Sequence, residues 1–307
     1  MEHVPVLLEE TIRLLAPQRG GVFVDCTVGL GGHAEALLSA NADVRIVGID
    51  RDPEALERTR VRLARFGERL QLIEGDFGDL AELLEAVGLH SIAGLLADVG
   101  VSSLQLESAG RGFSFRREGP LDMRMGRSGP TAEEIVNRYS EAALQKIFAE
   151  FGEERRARRL ARAVVEERKK RKLRTTGELR ELILRVKRRR PGQREGRIDP
   201  ATRVFQALRI EVNRELEQLS ELVDQAVRLL DQDGRLVVIS YHSLEDRIVK
   251  NALRRLAVGK VDEVTGRPHA QTRLIEVLTR KPVRPGEREV SLNPRARSAR
   301  LRAARRL

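Results

Sequence analysis

Four carboxylates follow short apolar runs in the first hundred residues. Val22-Phe23-Val24 ends in Asp25, Val44 to Ile49 ends in Asp50, Leu70 to Ile73 leads to Asp76, and Ile92 to Ala97 ends in Asp98. Between the first two acids lies Gly29-Leu30-Gly31-Gly32-His33. A glycine turn lets backbone approach a ligand with no side chain in between. Carboxylates beside it accept hydrogen bonds from hydroxyls or hold a cation. Asp50 stands 19 residues beyond Gly31, about where a dinucleotide-type fold places an acid on ribose hydroxyls. One such Asp is an ordinary helix N-cap, and Asp76 reads most simply as that. Four in succession imply a ligand.

Electrostatics narrows the ligand. Gly29-x-Gly31-x-x-Ala34 fits the loose fingerprint for NAD, whose pyrophosphate four carboxylates would repel. S-adenosylmethionine carries ribose and adenine without phosphate, and its sulfonium and ammonium are cationic. Acidic strand ends suit it better. No Gly-x-x-x-x-Gly-Lys-Ser/Thr is present, which leaves a P-loop nucleotidase without support. No Cys or His pair has zinc-ligand spacing, so no metal is expected.

The acids need strands to carry them. Runs at 22–25, 44–50, 70–73 and 92–97 alternate with helical segments at 34–40 and from Asp52-Pro53 to about Phe66, which predicts a parallel sheet covered on both faces. The rhythm then stops. Residues 105 to about 130 read as loop, and Thr131 to Glu134 has capping-box spacing. Ala157, Leu160, Ala161, Val164 and Val165, then Leu179, Leu182, Ile183 and Val186, mark two helices with one apolar face each. Asp199-Pro200 opens a helical pattern to about Leu230. Strands return at 236–239 and 274–278, with a last one expected over 296–302. The reading is an α/β domain interrupted after its fourth strand by a helical insert.

Charge follows the same division. The 307 residues carry a formal net charge of +11. Residues 155–197 hold 19 Lys/Arg against 5 Asp/Glu, and 293–307 hold six Arg and no acid. The remainder is net acidic, so a polyanion such as nucleic acid is expected on two basic patches. The single cysteine, Cys26, excludes an internal disulfide. No run is long enough for a membrane helix, and Met1 to Pro5 does not open a signal peptide. A cytoplasmic protein is expected.

Seven motifs then share a pattern. They are His3-Val4-Pro5-Val6-Leu7-Leu8-Glu9-Glu10; Asp25-Cys26-Thr27 leading to Gly29-Leu30-Gly31-Gly32-His33; and Asp98-Val99-Gly100-Val101-Ser102-Ser103-Leu104-Gln105. Arg111-Gly112-Phe113-Ser114-Phe115 follows, with Pro120 to Met125. Later come Asp199 to Ile210, His242-Ser243-Leu244-Glu245-Asp246-Arg247, and Leu278 to Pro282 with Asn293-Pro294-Arg295. In these the chain resembles the bacterial ribosomal RNA small-subunit methyltransferase H family, the MraW type, over nearly its whole length. Val99 and Tyr241 are mild departures, standing where the pattern leads to Leu and Phe.

The resemblance implies a Rossmann-like class I S-adenosylmethionine-dependent methyltransferase sheet formed by residues 1–108 and 208–307. An inserted helical, basic RNA-recognition domain would span 109–207. It implies methylation of the exocyclic N4 of one cytidine in the decoding region of 16S rRNA, with S-adenosylhomocysteine as product. The partner is 16S rRNA or the small subunit, and the enzyme would be a monomer or homodimer. Cofactor contacts carry over to Gly31, Gly32, His33, Asp50, Phe77, Asp98 and Gln105. Asp98 and nearby backbone carbonyls are the expected acceptors for the amino hydrogens, with Ser102 and Ser103 behind them. A flipped base needs a stacking surface, for which Phe113, Phe115 and Tyr241 are the candidates. Arg111, Arg124 and Arg203 are placed on phosphates and His242 beside the cytosine. Two rivals stay open at this point: an NAD-dependent oxidoreductase and a non-catalytic RNA-binding assembly factor.

Overall fold

The computed structural model describes residues 5–100, 109–114, 118–126, 129–187, 199–260, 265 and 269–307. It divides into two compact units, Met1–Gly100 with Leu216–Leu307, and Val101–Glu215. The second unit begins before, and ends after, the 109–207 span expected for the insert.

The first unit is built on a seven-stranded sheet: β1 (Gly21–Asp25), β2 (Val44–Asp50), β3 (Leu70–Glu74), β4 (Ile92–Asp98), β5 (Leu230–Ser240), β6 (Ile275–Val277) and β7 (Arg300–Arg306). Their order is β3-β2-β1-β4-β5-β7-β6. The pairings β3–β2, β2–β1, β1–β4 and β4–β5 are parallel. β7 runs antiparallel to both β5 and β6. Period-two alternation serves both faces. Phe23, Ile46, Leu96 and Val237 are buried in one core with helices α1 (Leu8–Leu15), α2 (Gly32–Ala40) and α3 (Pro53–Arg62). Val24, Val47, Leu95 and Val238 are buried in the other. With both faces dry, these strands read as near-continuous apolar runs.

The second unit is helical. α4 (Leu80–Glu85) still belongs to the sheet unit; α5 (Ala132–Arg138), α6 (Glu141–Glu150), α7 (Ala157–Lys170), α8 (Thr176–Val186) and α9 (Thr202–Asn213) make the insert. The chain returns through α10 (Glu215–Leu229) and α11 (Ser243–Val258), which join α4 over the second sheet face. The insert has its own core, in which Leu160, Val164, Leu179 and Ile183 meet Phe148, Phe205 and Leu208. The expected capping box is present: Thr131 Oγ1 accepts from Glu134 N, and Glu134 accepts from Thr131 N. Asp52 caps α3 through Glu54 N, with Pro53 in the first turn.

Several boundaries differ from the sequence reading. The helix expected to reach Phe66 stops at Arg62, and a 3-10 turn with Gly67 at φ 55° follows. The third strand ends at Glu74, short of Asp76. The long pattern from Asp199 is two helices, broken at Arg214 in a left-handed conformation (φ 50°). Its apolar periodicity runs on across the break, so periodicity alone cannot reveal it. The last strand starts at Arg300, because Asn293 caps a Pro294–Ser298 turn first.

The C-terminal arginines are also not a free patch. Arg300 and Arg302 both pair with Asp246, at 3.4 and 2.6 Å. Arg305 pairs with Asp233 and Glu276 at 3.0 and 2.6 Å. Arg306 donates to the Leu274 carbonyl. Composition counted positive charge here, whereas strand pairing draws in acids from elsewhere in the chain.

Candidate active site

The strand order reverses at β1, which pairs with β2 on one side and β4 on the other. Open α/β sheets bind ligands beyond the carboxyl ends of the strands at such a point. Asp25, Asp50 and Asp98 end these three strands.

Local hydrogen bonds fix all three acids. Thr27 links two of them: its amide donates to Asp25 Oδ1 (3.1 Å), and its hydroxyl accepts from the Asp98 amide (2.7 Å). Asp50 stitches its strand end to the glycine turn, accepting from Gly29 N at 2.9 Å and from Asp52 N at 2.9 Å. Tyr241, just beyond β5, donates its hydroxyl to Asp98 Oδ1 at 2.8 Å. Burial penalises the charged forms and raises Asp25 to about 7, against the pull of the Thr27 amide and with Asp98 and Asp50 adding repulsion. Burial likewise raises Asp98 to about 7, against the Tyr241 hydrogen bond, and Asp50 to about 6, against its two amide donors. The Tyr241 phenol is pushed far up by burial and then by the Asp98 carboxylate. The result is a set of carboxylates that a cationic ligand would ionise.

The glycine turn forms the floor. Gly31 has φ 77° and caps α2, a conformation an L side chain adopts only under strain. A Cβ there would also lie 2.9 Å from both Leu63 Cδ1 and Thr59 Cγ2. At Gly32 a Cβ would collide with Pro5. The donor set and the close glycine backbone fit a ligand that carries hydroxyls and positive charge.

The other expected cofactor residues are placed less uniformly. Phe77 is half-buried after β3, with the Arg51 guanidinium 5.9 Å from its ring centroid. Arg51 Nε lies 2.7 Å from Asp76 Oδ1, and Arg51 donates to Gln218. Asp76 makes no side-chain cap, contrary to expectation; its carboxylate is held by Arg51 instead. His33 is buried and its Nε2 donates to the Val6 carbonyl at 3.0 Å, anchoring the N-terminal segment. Gln105, Ser102 and Ser103 lie outside the described residues.

Of the expected substrate residues, Phe113 is 8% exposed and packs into the core of the insert. Core neighbours surround the ring there. Arg124 is bound bidentately by Asp122 at 2.7 and 2.8 Å, and Arg111 donates to the Arg124 and Met125 carbonyls. Both brace a loop. Arg203 is exposed and donates to the Glu153 carbonyl. Phe115 lies outside the described residues. His242 is the N-cap of α11: its Nδ1 accepts from Glu245 N at 3.4 Å, and Glu245 Oε2 accepts from the His242 and Tyr241 amides. Tyr241, expected as a stacking surface, spends its hydroxyl on Asp98. Thr27 escaped sequence reasoning because its role depends on β1 and β4 being neighbours.

Comparison with known proteins agrees over the full length. A family model described as the MraW methylase family matches residues 1–307. The ribosomal RNA small subunit methyltransferase H of Bradyrhizobium diazoefficiens is 50% identical over 305 residues, covering 99% of this chain and 91% of that protein. The protein of the same name from Acidiphilium cryptum is 50% identical over 313 residues, covering 100% and 98%. That from Persephonella marina is 44% identical over 308 residues, covering 100% of each. A solved rRNA methylase from Streptococcus thermophilus aligns with a TM-score of 0.45 and 11% identity over 100% of this chain and 99% of its own. The oxidoreductase and the non-catalytic assembly factor find no support in these matches.

Proposed function

This chain belongs to the MraW methylase family, and from that premise we propose that it methylates the exocyclic N4 of a cytidine in the decoding region of 16S rRNA. The observation that carries the reading is the trio Asp25, Asp50 and Asp98 at the strand-order reversal, the first buried and the other two half-buried, all three with raised proton affinity. S-adenosylmethionine supplies the electrophilic methyl group when bound. Asp50 would hold its ribose hydroxyls, since each carboxylate oxygen retains lone-pair capacity beyond one amide bond. Phe77 would pack on adenine, and the Gly31–Gly32 backbone would border the methionine portion.

The cytosine N4 lone pair is delocalised into the ring and attacks poorly. Asp98 accepts an N4 hydrogen and localises that lone pair as the bond forms. An acid raised to about 7 by burial is matched to proton acceptance near neutral pH. Holding the amino group in line with its target contributes the rest, an effect that reaches about 7–11 kcal/mol in well-oriented systems. His242, Arg111, Arg124 and Arg203 remain proposed RNA contacts, with Arg203 the most accessible. We place the reaction in the cytoplasm; among the described residues no helix is long and apolar enough to cross a membrane.

The test is transfer of labelled methyl from S-adenosylmethionine to small ribosomal subunits, followed by mass-spectrometric mapping of the modified nucleotide. Asp98→Asn should lower kcat by about 100-fold or more. An unchanged rate would remove Asp98 from the mechanism.

A further inference from the structure

We propose that Tyr241 is a positioning residue for the transfer: its hydroxyl holds Asp98 Oδ1, so that Oδ2 is the oxygen presented to the reacting amino group. The inference rests on Asp98 being the acceptor. Tyr241 is the position at which this chain carries a hydroxyl where the resemblance leads to Phe, and that hydroxyl is the atom that reaches Asp98.

Three features make the contact a built one. Asp98 pairs with Ile239 in the β4–β5 register, so Tyr241 follows two residues beyond the paired position on the neighbouring strand. Its backbone is pinned, because its amide donates to Glu245 Oε2 at 2.7 Å. Its ring fills the space left open by Gly100, where an added Cβ would lie 2.9 Å from Tyr241 Cδ2. Asp98 is equally constrained, its amide held by the Thr27 hydroxyl at 2.7 Å. With one carboxylate oxygen occupied and the backbone fixed, the carboxylate presents its second oxygen in one orientation.

Of the charged groups facing Asp98, Glu245 on α11 opposes its ionisation, and Asp98 in turn raises Asp25 on β1. The Tyr241 hydroxyl is the neighbour that favours ionisation of Asp98.

Tyr241→Phe keeps the ring and removes the donor. The acidic limb of the kcat profile should move to higher pH by about one unit. The kcat at pH 6.5 should fall up to about tenfold and recover as the pH rises to 9, where KM for S-adenosylmethionine should match the wild type. A limb superimposable on the wild type, or a loss uniform across pH, would overturn the proposal. Asp98→Asn, measured in parallel, separates the two ideas. If it is inactive while the Tyr241→Phe limb stays in place, only the positioning role fails. If it keeps the wild-type rate, the acceptor reading fails and takes the positioning role with it.

Discussion

At the scale of single residues, three carboxylates with raised proton affinity end neighbouring strands, and Asp25 is electrostatically coupled to the other two. A carboxyl whose folded pKa lies above its unfolded value contributes stability below the unfolded value and loses it as pH rises through the folded one. For Asp25 and Asp98 that window runs from about 4 to about 7. The ligand-free protein should therefore lose the stabilisation from these groups across that range. Binding a cation favours the ionised forms and must release protons. Calorimetric titration with S-adenosylmethionine at pH 6.5, in buffers of differing ionisation enthalpy, should show proton release. S-adenosylhomocysteine, lacking the sulfonium charge, should release fewer. Equal heats in all buffers would contradict the linkage. The acids themselves were legible in the sequence from their places at the ends of apolar runs. Thr27 and Tyr241 were not legible as their partners, because both contacts join strands that are distant in the chain.

At the scale of elements, the turn between β1 and α2 is tied to the strand-end acids through the Gly29 amide on Asp50. Gly31→Ala would force an L side chain into a left-handed conformation and against Leu63 and Thr59. A loss of about 1–3 kcal/mol is expected, read as a lower Tm, with S-adenosylmethionine affinity weakened about tenfold by displacement of the Gly29 amide from Asp50. A variant with unaltered melting and affinity would show the turn to be permissive. Most strands were recoverable from alternation and length. The break at Arg214 was not, since the apolar stripe on either side keeps its period and the left-handed residue is an ordinary arginine. The C-terminal strand misled for a related reason. Six arginines suggest a basic patch for a polyanion until Asp246, Asp233 and Glu276 are brought beside three of them.

At the scale of the whole molecule, the chain places its net positive charge in the inserted unit. The structure sorts that charge. Arg171, Arg180 and Arg185 pair with Glu167, Asp199 or Glu178, and Lys187 pairs with Glu154. Arg158, Arg159 and Arg162, on the first turns of α7, are exposed and have no carboxylate within 4 Å among the described residues. These three are the better candidates for RNA phosphates. Single-stranded RNA affinity falls by about 0.7 per phosphate contact on log–log axes with salt. Changing all three to Gln should flatten the slope by about 2, while changing Arg171 and Arg185 to Gln should leave it nearly unaltered. Equal effects from both sets would mean that charge alone, and not its placement, governs binding.

The sequence alone determined most of the elements, the two-part organisation and the chemistry available at the strand ends. Those depend on hydrophobic period, turn residues and charge, all local along the chain. Only the tertiary structure decided which carboxylates meet, which arginines keep their charge exposed, and which hydroxyl reaches Asp98. Each of those depends on distances between residues far apart in the chain, which the order of strands in the sheet sets and the periodicity of any one strand does not.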